Sequence, residues 1–301
     1  MAATYILGES PHLWNMTESL PVAYTIMSRG LELNIAILET DTLLLHEEII
    51  PESLEKLKRN IKKDMILQSP VIVDINSMVI LDGMHRVSAL QSLGCRLTPV
   101  CLVDYNNSEI VLDRWCRTVT EKMDVDSLAS EASNIGARVG TLDPGSYDES
   151  CTSLISREKS YCLKSPEEGV LYEFNIVAFL ESHICSMGMK VKNETFHDAL
   201  FKLKSGEISI IVSPPRVEKE QVLEVTRRGQ VFKSKATRHM IPARPIGLNI
   251  PLSILQDPNL TVEDANMILT SHLERKTIKR LPPGSMLNNR RYDEEIFIFE
   301  G

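Results

Sequence analysis

Hydrophobic and polar positions along this chain fall into short runs whose period switches between two and about three and a half. Residues 33–38, LNIAIL, read as a buried strand, and LLLHE at 43–47 continues extended. Across 51–63 the apolar Leu54, Leu57 and Ile61 recur at helical spacing, with Pro51 tolerated in a first turn and Lys56, Lys58, Lys62 and Lys63 on the other faces. VIVDI at 71–75 and MVIL at 78–81 are strands around a turn at Asn76-Ser77. MHRVSALQSLG at 84–94 is a helix whose stripe is Val87, Leu90 and Leu93, and Gly94 suits the residue just past its end. TPVCLVDY at 98–105 is a further buried strand.

The pattern weakens after residue 106. One amphipathic segment, Val125 to Ile135, stands before GTLDPGSYDESCTS at 140–153, whose Gly, Ser, Asp and Pro content reads as a connection or insertion. Regular patterning returns with a helix over Phe174–Met187, a strand at EISIIVS, 207–213, and a helix over Val217–Arg228. IGLNIPLSIL, 246–255, reads as extended. Thr261 with Asp264 three residues on resembles a capping box that opens a helix through Leu273, and EEIFIFE, 294–300, is a closing strand. Short strands mixed with helices predict an α+β (mixed α/β) fold. The expected division is a first domain over 1–118, a connection or insertion over 119–169 and an α/β domain over 170–301.

Composition changes this picture little. The 301 residues hold 33 Lys+Arg against 41 Asp+Glu, a formal charge of −8, with 43% hydrophobic residues. Such a chain can bury a core, which excludes disordered and collagen-like classes. Its acidic balance argues against a nucleic-acid partner. No apolar run approaches the roughly 20 residues needed to span a bilayer. The opening MAATYILGESPHLW has neither a basic n-region nor a long apolar core, so no signal peptide is expected. The six Cys, at 95, 101, 116, 151, 162 and 185, form no C-x-x-C pair and lie at no metal-ligand spacing from His. The simplest expectation is free thiols in a reducing cytoplasm, with no zinc site.

Four segments carry candidate chemistry. In Ile80-Leu81-Asp82-Gly83-Met84-His85-Arg86 a strand runs into a helix. The unpartnered first-turn amides and the helix dipole favour an anion, Gly83 lets backbone approach a ligand, and His85 and Arg86 add donors, so a phosphate is the natural occupant. His46-Glu47-Glu48 ends an apolar run and offers a general base. Thr237-Arg238-His239, followed by Arg244, groups hydroxyl, guanidinium and imidazole donors suited to a small anionic or zwitterionic ligand. Trp115 could stack on a base or a cation. Each also has a plainer reading: Asp82 as a helix cap, Glu47-Glu48 as a solvated pair, 237–239 as a polar loop and Trp115 as core.

Taken together, these residues resemble one family. LeuHis46Glu47, Pro51, Pro70ValIleVal, IleLeuAsp82GlyMetHis85Arg86, LeuGly94Cys and the following ProVal are similar to the ParB/sulfiredoxin-like fold, and within it to the free serine kinases. Thr237-Arg238-His239, LeuAsnIleProLeu and LeuProProGlySer extend the likeness, which covers about two-thirds of the chain. Sulfiredoxins need a Cys just before the His-Arg pair. Met84 stands there and cannot serve as a thiolate nucleophile. Chromosome-partitioning ParB proteins carry Gly-Glu-Arg-Arg and continue into a helix-turn-helix, and neither feature is present in the pattern.

The resemblance implies a ParB/sulfiredoxin-like N-terminal nucleotide-binding domain and a second α/β domain forming a cleft with it. It implies transfer of a phosphoryl group from ADP or ATP, with Mg²⁺, to the hydroxyl of free L-serine. It casts Glu47 as general base and Asp82 as a nucleotide- or metal-associated carboxylate. Gly83, Met84, His85 and Arg86 become the phosphate cradle. Trp115, Thr237, Arg238 and His239 become contacts to the amino acid. One lysine among Lys56, Lys58, Lys62 and Lys63 is expected on the phosphate. The alternatives are a nucleotide-sensing transcriptional regulator without kinase activity, and a nuclease, which would need clustered carboxylates.

Overall fold

The computed structural model describes residues 20–288 and 290–301, so the opening segment read above for a leader lies outside the described residues. The described chain divides into two compact units. One comprises the residues through Leu44, Pro51–Asp104 and Pro242–Gly301; the other comprises Leu45–Ile50 and Tyr105–Ile241.

The first unit is built on a five-stranded sheet in the order Tyr24–Ser28, Leu31–Glu39, Leu97–Val103, Val71–Asp74, Ile80–Asp82. Its first two strands form a hairpin across Arg29-Gly30, both at positive φ (51° and 79°), the backbone twist that tight hairpins require. Leu97–Val103 is buried at all seven positions and pairs antiparallel with Leu31–Glu39 and parallel with Val71–Asp74. That is why its sequence reads as one apolar run rather than an alternation. The Pro51–Asp64 and Met84–Ser92 helices occur where the periodicity places them. Val262–Glu274 starts at Thr261, whose hydroxyl accepts from the Asp264 amide, and packs on Leu31–Glu39. There the buried Asn266 grips both the N–H and the C=O of Ile37.

The last sixty residues belong to this unit because they supply its second sheet. Glu295–Glu300 lies between Ala243–Ile246, parallel, and Thr277–Leu281, antiparallel. The segment read as extended over 246–255 is only partly so. Ile250–Pro251 pairs with Ile66–Leu67, and Leu252–Leu255 turns into a short helix with Pro251 at its cap.

The second unit is a six-stranded antiparallel sheet in the order Val191–Thr195, Trp115–Val119, Ile210–Ser213, Thr152–Ile155, Ser160–Lys164, Arg138–Leu142. Alternate positions of a strand face opposite sides. Ile210 and Val212 join Val119, Leu154, Leu163 and the Val125–Asn134 and Val170–Ser186 helices in one core. Ile211 joins Cys116, Ile155 and the Phe196–Ser205 helix in another. Residues 119–169, read as a connection or insertion, thus hold one helix and three strands of this sheet. Arg138–Leu142 is an edge strand exposed at four of its five positions, so it carries no apolar alternation to announce it.

The expectation of six free thiols is corrected here. Cys151 and Cys162 form a disulfide, and Cys95, Cys101, Cys116 and Cys185 are free. The hairpin places Cys162 opposite Ser153, two residues from Cys151, a proximity that a spacing of 11 does not reveal.

Candidate active site

The first unit holds the strand-to-helix turn. Gly83, at φ +110°, caps the Met84–Ser92 helix, and no side chain caps it, so Asp82 is not a helix cap. The space that Gly83 leaves is filled by Arg86: a Cβ there would lie 2.8–2.9 Å from the Arg86 guanidinium. Arg86 donates to the Ser69 carbonyl at 3.2 Å, to the Pro70 carbonyl, and to Asp82 Oδ2 at 3.1 Å. Asp82 Oδ2 also accepts from Arg244 Nη1 at 2.6 Å, and Arg244 Nε pairs with Glu294. Partial burial acts to raise the Asp82 carboxyl, but Arg86 and Arg244, and Arg290 beyond them, outweigh it and hold Asp82 well below the usual carboxylate range. The Arg244 guanidinium is held above its ordinary value by Asp82 and Glu294 despite burial.

Three guanidiniums and two carboxylates therefore share this spot, leaving a positive excess beside the N-terminal, positive end of a helix dipole. Such a place suits a phosphate. It does not suit a protein-held Mg²⁺: Asp82 Oδ2 is engaged by two cations, and Glu294 is paired as well. Arg244, grouped by sequence with Thr237-Arg238-His239, lies instead on Asp82 in this unit, and Glu294 was not singled out from the sequence. Met84 and His85 stand half-buried on the first turn. Of the four lysines considered, Lys58 pairs with Glu55 at 3.5 Å, while Lys56, Lys62 and Lys63 are exposed on the Pro51–Asp64 helix.

The second unit holds the carboxylate. Glu47 is 6% exposed and pairs through its backbone with Phe232. Its Oε1 accepts from the Thr237 amide at 2.6 Å and the Thr237 hydroxyl at 2.5 Å, and its Oε2 from the Lys235 amide at 3.0 Å. His46, fully buried, lies 2.9 Å from the same hydroxyl through Nε2. A hydroxyl has one proton. When Thr237 donates it to Glu47, His46 Nε2–H is the donor to Thr237. Thr237 thus links His46 to Glu47.

The other residues expected to contact an amino acid are placed by protein partners. The Arg238–Met240 strand pairs with Val111–Asp113, and the Arg238 side chain lies 3.7 Å from the Asp113 carboxylate and over the Trp115 ring. His239 Nε2 meets the Tyr105 hydroxyl at 2.8 Å, and its ring packs edge-on against His46. Lys235 Nζ lies 5.6 Å from the Trp115 ring centre, so two cations flank one indole. Trp115 also lines a hollow of about 540 Å³ with Lys192, Asn193, Glu194, Thr195 and Asp198. The structure gathers Glu47, Thr237, Arg238, His239 and Trp115 in one unit, and Asp82, Gly83, Met84, His85 and Arg86 in the other. Tyr105 is an addition that no motif signalled, and Lys235 stands two residues before the Thr237-Arg238-His239 motif. Among the described residues, the one group of three potential metal ligands is Asp148, Cys151 and Cys162, and two of these are joined to each other.

No protein-family model matches the chain. It is 28% identical over 232 residues to an ATP-dependent L-serine kinase of Staphylothermus marinus, an overlap of 73% of this chain and 90% of that one. It is 24% identical to an ADP-dependent L-serine kinase of Thermococcus kodakarensis, over 74% of this chain and 94% of the relative. A solved free serine kinase in complex with AMP superposes with a TM-score of 0.63 at 22% identity, covering 74% of this chain and 94% of the other. The fold is thus that of the free serine kinases, and no helix among the described residues is long and apolar enough to cross a membrane.

Proposed function

We propose that this chain is a kinase of free L-serine, an enzyme that moves the terminal phosphoryl group of a nucleotide onto the serine hydroxyl to give O-phospho-L-serine. The two L-serine kinases it resembles are matched over nine-tenths or more of their length, and its fold is that of a solved free serine kinase. Among its own residues, the observation that carries the reading is Glu47: a buried carboxylate held by two backbone amides and one hydroxyl, as a positioned general base must be.

Phosphoryl transfer demands positioning and charge stabilisation more than covalent chemistry. In this reading the turn at Asp82-Gly83-Met84-His85-Arg86 grips phosphate oxygens. Asp82, itself held by Arg244, holds Arg86 in place rather than meeting a metal. Glu47 Oε1 already accepts two hydrogen bonds and Oε2 accepts one, so Oε2 is the atom with room for the substrate proton. As the serine oxygen bonds to phosphorus, the bond to the leaving nucleotide oxygen breaks and the proton passes to Glu47. Trp115, Arg238 and His239 would line the amino-acid seat, Arg238 and Lys235 facing its carboxylate. Mg²⁺ brought with the nucleotide would supply charge neutralisation at the phosphates. A cytoplasmic location follows from substrates of this class.

The test is phosphorus NMR of the protein with Mg²⁺ and L-serine, with ADP and ATP in separate tubes. A phosphomonoester signal that needs serine is the expected result, and it identifies the donor. Glu47→Gln should slow its appearance by about 10²–10⁴-fold. Absence of any serine-dependent product with either nucleotide overturns the proposal.

A further inference from the structure

An arginine is buried in the middle of the second unit's sheet. Arg117 lies on the Trp115–Val119 strand, between Val191–Thr195 and Ile210–Ser213, and is 2% exposed. A guanidinium in such a place must be paired and hydrogen-bonded or it is strongly destabilising. Its Nε donates to Glu181 on the Val170–Ser186 helix at 2.9 Å. Three more of its donors go to backbone carbonyls: Nη1 to Trp115 at 3.0 Å and Lys235 at 2.9 Å, Nη2 to Ser234 at 3.1 Å.

Those carbonyls are not arbitrary. Ser234-Lys235 is the turn whose following amides, Lys235 and Thr237, hold both oxygens of Glu47. Lys235 sits at φ +61°, a left-handed conformation that costs a residue with a side chain and persists only when its surroundings impose it. Arg117 therefore fixes three things with one rigid planar group: the Trp115 backbone, the carbonyl side of the 234–235 turn, and through that turn the amides aimed at the carboxylate. A lysine could supply charge at this place but not the flat fork that reaches adjacent carbonyls together.

We propose that Arg117, braced by Glu181, is a positioning residue for the reaction: it locks the Ser234-Lys235 turn so that Glu47 and the Lys235 ammonium beside Trp115 keep their working orientation. It touches neither the carboxylate nor a reacting atom. The proposal rests on Glu47 being the base.

The experiment is a double-mutant cycle on Arg117→Lys and Glu47→Gln, with initial rates of phosphoserine formation, KM for serine and nucleotide, and thermal unfolding. Arg117→Lys is expected to lower kcat by about 10–100-fold with the nucleotide KM within twofold, because the phosphate-gripping residues belong to the other unit. In the Glu47→Gln background the same change should lower kcat by less than threefold, since the group it positions is already lost. Glu181→Gln, which leaves the carbonyl grips in place, should cost a smaller factor, about 2–5-fold, and carries the same cycle if Arg117→Lys does not fold. An equal loss from Arg117→Lys, or from Glu181→Gln in its place, with and without Glu47 overturns the proposal in favour of a general packing role. So does a kcat unchanged within twofold. If Glu47→Gln itself keeps near-normal kcat, the base assignment fails instead, and the two failures are told apart by that single variant.

Discussion

Replacing Thr237 by Val is the sharpest test of how the carboxylate is held. The change keeps the β-branched shape and the backbone amide that donates to Glu47, and deletes only the hydroxyl. Two interactions go with it. Glu47 Oε1 loses a charge-assisted hydrogen bond of the class worth about 1.5–3 kcal/mol. His46 Nε2, 2.9 Å from that hydroxyl inside a fully buried ring, loses this partner, at a further cost of about 1–3 kcal/mol in stability. If half or more of the first loss appears in the transition state, the barrier rises by about 0.8–3 kcal/mol, and at 1.36 kcal/mol per decade kcat falls roughly 4–160-fold. The assay is the steady-state rate of phosphoserine formation over a serine titration, beside thermal unfolding. The structure predicts a fall in kcat, a serine KM within about threefold and a melting point lower by several degrees, with Thr237→Ser restoring most of the rate. A KM that rises tenfold or more at unchanged kcat would mean that the hydroxyl binds substrate instead of supporting Glu47, and would refute this placement.

Two further outcomes follow. Gly83→Ala should weaken nucleotide binding at least tenfold by calorimetry, because its methyl would lie 2.8–2.9 Å from the Arg86 guanidinium at a φ of +110°; unchanged affinity would separate Arg86 from the phosphate. Thiol titration of air-oxidised protein should find four reactive cysteines in denaturant before reduction and six after, with exposed Cys185 alone reacting quickly in the native state. Burial pushes Cys101 up to about 12 and Cys95 and Cys116 up to about 11, which keeps them as unreactive thiols, so three fast native thiols would contradict the packing.

The local periodicities determined much of this protein. The apolar run at 98–105, the helical spacing at 51–63 and 84–94, and the Thr261 cap each specify an element through interactions within a few residues, and the strand Leu97–Val103 and the helices Pro51–Asp64, Met84–Ser92 and Val262–Glu274 are present. The candidate chemistry was legible for a related reason: Asp82-Gly83-Met84-His85-Arg86 forms its turn from contiguous residues, and Glu47 ends an apolar run. Tertiary structure alone decided what no short window contains. The edge strand Arg138–Leu142 lacks apolar alternation because both its faces are largely exposed, and the Cys151–Cys162 bond depends on a hairpin register.

Partners far along the chain were hidden for the same reason. Arg244 reaches Asp82 across 162 residues, Thr237 reaches Glu47 across 190, and Arg117 reaches Lys235 across 118. An isolated Arg or Thr in a sequence has the same composition whether it is solvated or clamps a buried carboxylate. Only burial, which strips away water and forces every charge and donor to find a protein partner, separates the two.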